Sequence, residues 1–303
     1  MSIQSSIRKS LTFTIAIAAL SWGCGDSSTL NGAADDRGSS ATEGASIAQR
    51  TKTLKKIFRA APSPMETARI IQKEGVAFNA DYLCSLDLAE QDGISTDHAI
   101  HLGIYGADLS YASIFQKNSE ALKYLDAVKT LSNELGVGSI LSDDIISRAE
   151  TNRANRDTVV TIVSRAFFDL NEQLKAVGHE DLSGLVVAAG WVEGLYLATR
   201  ELDGATDALK QRIAEQKLIL DDVLDLIESY SDSPAIEGMI SQLKPVRAAF
   251  EGVGQGDGGA STVDNEDGVI IIRGGNKLKA DDETILAISD AIALLRNNLA
   301  KAS

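Results

Sequence analysis

The sequence predicts an all-α fold, a bundle of about eight or nine helices with a small β-hairpin insertion near the C-terminus. Composition is the first observation, because alanine, leucine and isoleucine are abundant and only four of the 303 residues are proline; such a composition favours helices. Periodicity is the second, because apolar residues after position 47 recur at helical spacing. The third is residues 182–199, which carry one formal charge, Glu193. A helix with so few charges is typical of the buried centre of a bundle.

The predicted elements follow one another with short connections. Ser63 and Pro64 are typical of a helix start, and Ser142 and Asp157 sit where N-caps are needed. Residues 269–273, VIIIR, have the composition of a strand, which the glycines at 274–275 could turn back onto residues 277–279. The predicted helical segments include 81–91, 96–115, 119–135, 182–199 and 206–230, and a final helix led by Asp281 and Asp282.

The N-terminus has the layout of an export signal. Arg8 and Lys9 precede an apolar run of ten residues, LTFTIAIAAL, at positions 11–20. This run is too short to span a bilayer, which needs about 20 apolar residues. A positive start, a short apolar run and small or polar residues before a cleavage site are typical of a secretory signal peptide.

The end of this signal resembles that of bacterial lipoproteins, in which a small residue precedes the cysteine that is lipidated. Gly23 and Cys24 match that ending, while Leu20 stands one place farther upstream than in the usual pattern. The resemblance covers only about the first 24 residues. It implies that residues 1–23 are removed and that Cys24 becomes an acylated N-terminus. The chain would then be exported and anchored to a bacterial membrane, at its periplasmic face or at the cell surface.

The rest of the chain divides into a tether and a folded domain. Residues 24–46 are rich in Gly, Ser, Ala and Asp and have almost no large apolar side chains. Such a segment cannot bury a core and is predicted to be a flexible tether. Residues 47–303 are predicted to form one all-helical domain, with a glycine-rich loop and the short hairpin at 253–280.

Charge and motif content exclude several function classes. The net charge of -14 would repel phosphate backbones, so nucleic acid is not expected as a partner. The sequence has no G-x-S-x-G, H-E-x-x-H, P-loop or C-x-x-C motif. Residues 254–259, GQGDGG, match G-x-G-x-x-G, but a helix precedes them where a dinucleotide site needs a strand, so they are predicted to be a flexible linker. We therefore expect no cofactor and no enzymatic activity.

The predicted helix 96–115 has two unlike faces. One face carries only small residues, and it is expected to pack closely against Gly190 and Gly194 in the 182–199 segment. The other face holds acidic, tyrosine and histidine side chains. The small face comprises Ala99, Gly103, Gly106, Ala107, Ser110 and Ser113, and the polar face comprises Asp97, His98, His101, Tyr105 and Asp108.

Four side chains are candidate ligands for a metal ion or small molecule: His98, His101, Asp108 and Glu193. Two histidines three residues apart can present both imidazoles to a metal, and carboxylates can add ligands. The alternative is that the histidines are solvated at the start of a helix.

Asp108 and Glu193 could also form a buried acid/base pair. Alternatively, each could be a structural carboxylate, with Arg165 and Tyr105 as candidate partners. Cys84 is expected to be a buried small hydrophobic residue rather than a nucleophile.

The leading function hypothesis is a lipid-anchored cell-envelope protein whose helical domain is a non-catalytic interaction or ligand-binding module. Its expected partners are the membrane, reached through the N-terminal lipid, and an envelope protein or small ligand. One alternative is a metal-binding or catalytic bundle with its site between helices 96–115 and 182–199. The other is a purely structural envelope lipoprotein.

Overall fold

A computed structural model of the chain describes residues 71–73, 75–91, 93–152, 155–202, 204–256, 262–266, 269–273 and 277–301. The predicted signal peptide, the tether and the start of the helix expected after Ser63 lie outside these residues; residues 71–73, which belong to that helix, are helical. Within them the fold is an all-α multi-helix bundle with a small antiparallel hairpin near the C-terminus, as the sequence predicts. The helices are α1 Ser95–Ile114, α2 Asn118–Glu134, α3 Asp143–Thr151, α4 Arg156–Ala176, α5 Glu180–Ala198, α6 Asp207–Glu228, α7 Pro234–Ala249 and α8 Asp282–Leu299.

Helices α1 and α5 pack against each other at the centre of the bundle. They cross at Gly103 and Gly190: a Cβ atom on Gly103 would lie 2.9 Å from the backbone N of Gly190 and closer still to the carbonyl oxygen of Val186. Only glycine permits such a close approach of two helix backbones. The close packing predicted for the small face of α1 is therefore confirmed at Gly103. Gly106 instead faces α4, where its Cβ would overlap the ring of Phe167.

The apolar helix α5 lies inside the bundle, as its composition predicts. Among the residues that the structure describes, α5 is the helix with the length and apolar composition of a membrane span. Most of that stretch, 83%, is buried by the surrounding protein. Neighbouring helices therefore cover the apolar surface that lipid would otherwise cover.

Helix starts follow local capping chemistry. Thr206 Oγ1 accepts a hydrogen bond from the N–H of Leu209 (3.2 Å), and Asp281 Oδ1 accepts one from the N–H of Thr284 (2.8 Å). The helix predicted to begin after Asp157 begins earlier, because Asn155 Oδ1 caps it through the N–H of Thr158 (3.1 Å). Asn and Asp are equally good caps, so spacing alone did not distinguish them.

The strand pairing differs from the predicted one. Strand β3, Val269–Arg273, pairs with the preceding β2, Thr262–Glu266, which the sequence assigned to a flexible stretch. Strand β4, Leu278–Lys279, pairs instead with β1, Gly254–Gln255, inside the predicted linker. Two nested antiparallel ladders therefore replace the hairpin expected between 269–273 and 277–279. The alternation that marks a half-buried strand is weak in such short polar segments, so pairing could not be read from sequence.

The helix predicted at 81–91 is wrong. That region forms two short 3-10 turns, Ala80–Tyr82 and Leu86–Ala89. The side chains of Asn79 and Ser85 each accept a hydrogen bond from the backbone N–H two residues on. Such local bonds compete with helix formation. We call residues 79–85 the strap, because they lie along the bundle ahead of α1.

Candidate functional site

Asp108 on α1 and Glu193 on α5 are both buried at the centre of the bundle, with no exposed surface. Each lies on one helix of the central pair that crosses at Gly103 and Gly190. The structure brings these two candidates together: they are close enough for a hydrogen bond between the two carboxyl groups. Burial of a charge is costly unless a partner compensates it, so the neighbours of this pair decide its chemistry.

The partner of Glu193 is Arg296 on α8. The guanidinium donates from Nε to Oε2 (2.8 Å) and from Nη2 to Oε1 (3.2 Å), a bidentate pair. The guanidinium also lies 4.6 Å from the centre of the Tyr196 ring. The suggested partner, Arg165, is wrong: it lies on α4, is 70% exposed and pairs with Asp169.

Sequence reasoning missed Arg296, although a signal was present. The inward stripe of α8 comprises Ile285, Ile288, Ile292, Leu295 and Leu299. Arg296 is four residues after Ile292 and three before Leu299, so it lies on the same stripe. A lone arginine on a buried helix face needs a buried anion, and Glu193 was the obvious candidate.

Asp108 is held differently. Its Oδ2 accepts a hydrogen bond from the backbone N–H of Cys84 in the strap (3.0 Å), whereas Oδ1 has no donor within the described part of the chain. The proposed partner Tyr105 does not bond Asp108, because its hydroxyl donates to the carbonyl oxygen of Ser85 (2.6 Å). The two oxygens of Asp108 are therefore unequal: one is bonded to the strap, and the other is buried without a donor.

Burial raises the pKa of Asp108 well above its usual value, and the negative charge of Glu193 raises it further. The Cys84 N–H and Arg296 act in the opposite direction but do not overcome these effects. Burial also raises the pKa of Glu193, while Arg296 and the hydrogen bond from Asp108 lower it. One guanidinium cannot balance two buried carboxylates. Because Arg296 binds Glu193 at both oxygens, Asp108 is the carboxyl group that favours the protonated form.

The two histidines lie away from these carboxylates. His98 and His101 are buried in the first two turns of α1, so the alternative of solvated histidines is wrong. His101 is only 5% exposed, and its Nδ1 has no hydrogen-bond partner. Burial lowers its pKa. Seven residues separate it from Asp108, which is about 10 Å along a helix. Across the described residues, no group of three or more His, Cys, Asp or Glu side chains could hold a metal ion.

Cys84 is a buried small side chain, as predicted, with 2% of its surface exposed. Burial raises the pKa of its thiol to about 12. The thiol is therefore protonated at neutral pH and is a poor nucleophile. The backbone of Cys84, rather than its thiol, bonds the neighbouring helices: its N–H donates to Asp108, and its carbonyl oxygen accepts from the Tyr124 hydroxyl (2.6 Å).

A narrow apolar crevice lies between α2, α3 and α4. Its volume is about 20 Å³, and Leu125, Ile145 and Phe167 are among its lining residues. Ligand sites for small molecules are typically several hundred Å³. The crevice is therefore a packing gap rather than a ligand site.

Comparisons with family models, with curated proteins and with solved structures gave no match. The class that the molecule's own features define is an all-α helical bundle with a buried Asp–Glu–Arg centre. We call Asp108, Glu193 and Arg296 the buried centre.

Proposed function

We propose that this chain is a lipid-anchored cell-envelope protein whose helical domain acts as a non-catalytic interaction or ligand-binding module. One observation carries the non-catalytic part. The two carboxylates most suited to acid/base work, Asp108 and Glu193, have no exposed surface and bond to groups of the same chain. A catalytic group must touch its substrate, and these two are enclosed by packed helices. Recognition would then use the outer surface of the bundle.

The anchor rests on the N-terminal sequence. Arg8 and Lys9, the apolar run at 11–20 and the Gly23–Cys24 pair together favour export and acylation. The polar segment 24–46 would let the bundle stand clear of the lipid surface. An acidic domain, with a net charge of -14 for the chain, would be kept off anionic lipid by repulsion, which suits a module that meets partners away from the membrane.

Replacing Cys24 by alanine is expected to abolish incorporation of labelled fatty acid and to release the protein from the membrane fraction. The reason is that the thiol of Cys24 is the acylation site in this proposal. Cells expressing the full chain are grown with radiolabelled palmitate, and the protein is immunoprecipitated and fractionated.

The matched control is Cys84→Ala, which removes the other cysteine of the chain. It keeps the backbone N–H that bonds Asp108 and should incorporate label like the wild type. Equal labelling of wild type and Cys24→Ala, or no labelling of either, contradicts the anchor.

The module part is tested on the same cells. Cross-linking in intact envelopes should join the wild-type bundle to a partner, and the yield should fall for Cys24→Ala because the protein is no longer held at the surface. Native mass spectrometry of the purified protein measures whether a metal ion is bound. A stoichiometric metal ion that is lost in His101→Ala would contradict the proposal and favour the metal-binding alternative.

A further inference from the structure

The strap is held to the bundle by side chains rather than by secondary structure of its own. Its backbone has only one 3-10 turn, Ala80–Tyr82. Within the described residues, each hydrogen bond from this backbone to the bundle is made to a side chain of α1, α2 or α8. Two side chains accept from the strap: Tyr111 Oη from the N–H of Asn79 (3.3 Å) and Asp108 Oδ2 from the N–H of Cys84 (3.0 Å). Three side chains donate to carbonyl oxygens of the strap: Arg296 to Tyr82 (3.2 Å), Tyr124 to Cys84 (2.6 Å) and Tyr105 to Ser85 (2.6 Å).

Two of these five bonds come from the buried centre. Arg296 binds Glu193 and the strap together, and Asp108 faces Glu193 with one oxygen and the strap with the other. The strap backbone therefore bonds two of the three side chains of the buried centre, Asp108 and Arg296. Water can reach Asp108 only if some covering element moves, and the strap has the fewest hydrogen bonds of its own.

The unpaired oxygen of Asp108 indicates where a proton belongs. Oδ1 is buried and has no hydrogen-bond donor among the residues that the structure describes, and Glu193 is a charged neighbour of the same carboxyl group. A buried acceptor without a donor costs about 1–3 kcal/mol. A proton on Oδ1 turns this orphan acceptor into a donor to the Glu193 carboxylate, and it also reduces the charge of the centre to one carboxylate and one guanidinium.

We propose that Asp108 holds a proton at neutral pH, donates it in a hydrogen bond to Glu193, and so makes the buried centre a pH-sensitive latch for the strap. When the proton leaves, two carboxylates face one guanidinium inside the bundle. Opening of the strap hydrates Asp108 and relieves that repulsion. The latch is closed when the carboxyl pair shares a proton and loosens as pH rises.

The groups that face Asp108 from the surrounding elements do not titrate in its place. Burial raises the pKa of the Cys84 thiol to about 12, and it raises the pKa of the tyrosines on α1 and α2. The remaining groups are the Glu193–Arg296 ion pair, in which Glu193 raises the pKa of Arg296 despite burial, and Arg200, whose positive charge lowers the pKa of Glu193. The tyrosines on α1 and α2 are Tyr105, Tyr111 and Tyr124. Tyr82 lies in the strap, and its hydrogen bond to Glu201 raises its pKa.

The sign of the pH dependence follows from linkage. In the open form Asp108 is hydrated and its pKa returns to about 3.9, whereas in the closed form its pKa is raised. Opening then releases a proton, so the opening equilibrium constant rises with pH, by up to about tenfold per pH unit, until pH reaches the closed-form pKa. Below about pH 4 the dependence on Asp108 disappears.

The test measures exposure of the Cys84 thiol in the full-length Cys24→Ser chain, where Cys84 is the only thiol. A thiol-specific reagent is added between about pH 5 and pH 9, under conditions where reclosing outpaces labelling. In the Cys24→Ser parent chain, the rate of thiol labelling should rise with pH more steeply than in the same chain carrying Asp108→Asn. Asparagine can donate to Glu193 and accept from Cys84 but cannot lose a proton. Ionisation of the thiol contributes equally to both, so the difference in slope reports Asp108.

The control is Asp126→Asn on the exposed face of α2, which makes the same substitution away from the buried centre. The thiol of this control variant should be labelled at the same rate as in the parent chain at each pH. If the labelling rate rises equally steeply with pH in Asp108→Asn and in the parent chain, the proposal is overturned.

A second measurement does not depend on the variant folding. The infrared spectrum of the wild-type protein at neutral pH should contain the C=O band of a protonated carboxyl group, and that band should titrate away as labelling accelerates. Absence of a protonated carboxyl band in the wild type at neutral pH overturns the latch, whatever the variant does. Neither result depends on Cys24 or on a partner, so failure here is separate from failure of the proposed function.

Discussion

Replacing Gly103 by alanine is expected to lower the free energy of unfolding by about 2 kcal/mol or more. The added Cβ would meet the carbonyl oxygen of Val186 and lie 2.9 Å from the backbone N of Gly190. Both atoms belong to the backbone of α5, so neither can rotate away, and the two central helices must separate. Separation loosens the contacts of every side chain between them. Urea unfolding of the full chain, followed by circular dichroism, measures the loss.

Gly238→Ala is the matched control for this substitution. Gly238 lies on the exposed face of α7, and a Cβ there meets nothing within 4 Å. Alanine in a helix interior is favoured over glycine by about 1 kcal/mol, so this variant should be slightly more stable than the wild type. If both variants gain stability alike, the close crossing at Gly103 is refuted.

Replacing Arg296 by methionine is expected to lower the free energy of unfolding at pH 7 by about 3–5 kcal/mol. Methionine keeps much of the side-chain volume but removes the bidentate partner of Glu193 and the donor to the strap at Tyr82. Two buried carboxyl groups then remain without a cation. Glu193 can escape its charge only by binding a proton, so the loss should be smaller at acid pH and grow as pH rises. Denaturant unfolding at several pH values measures both effects.

Two comparisons identify the cause of this loss. Arg296→Met combined with Glu193→Leu removes both charges and should recover most of the stability, since a buried ion pair is replaceable by apolar groups of similar size. Arg165→Ala removes a 70% exposed partner of Asp169 and should cost at most about 1 kcal/mol. If Arg296→Met costs no more than Arg165→Ala, the buried centre does not stabilise the fold.

Helix positions were predictable where the signal is local. The glycine-rich, nearly uncharged segment around Glu193 indicates a buried helix, and α5 is one. The small residues of α1 indicate a close helix contact, and Gly103 makes it. Thr206 and Asp281 mark true helix starts. Each inference uses residues within one or two turns, whose effect on the backbone does not depend on the rest of the fold.

Partners across the bundle were not predictable in the same way. Asp108 and Glu193 stand out as buried carboxylates, yet Arg296 is separated from Glu193 by about a hundred residues of chain. The sequence offered Arg165, which is nearer in the chain but faces solvent. Residues 81–91 were misread as a helix because Leu83, Leu86 and Leu88 are apolar at plausible spacing, while the side chains that bond the strap backbone belong to other elements.

The sequence by itself determined the all-α class, the central pair of helices and the acidic character of this protein, since propensity, periodicity and charge are properties of short segments. Only the tertiary structure decided that Arg296 neutralises Glu193, that Asp108 is left with one unpaired oxygen, and that the strap bonds Asp108 and Arg296. The physical reason is that a buried charge or an irregular backbone is stabilised by whichever groups the packed helices bring within hydrogen-bond distance, and that distance is set by the assembled bundle rather than by spacing along the chain.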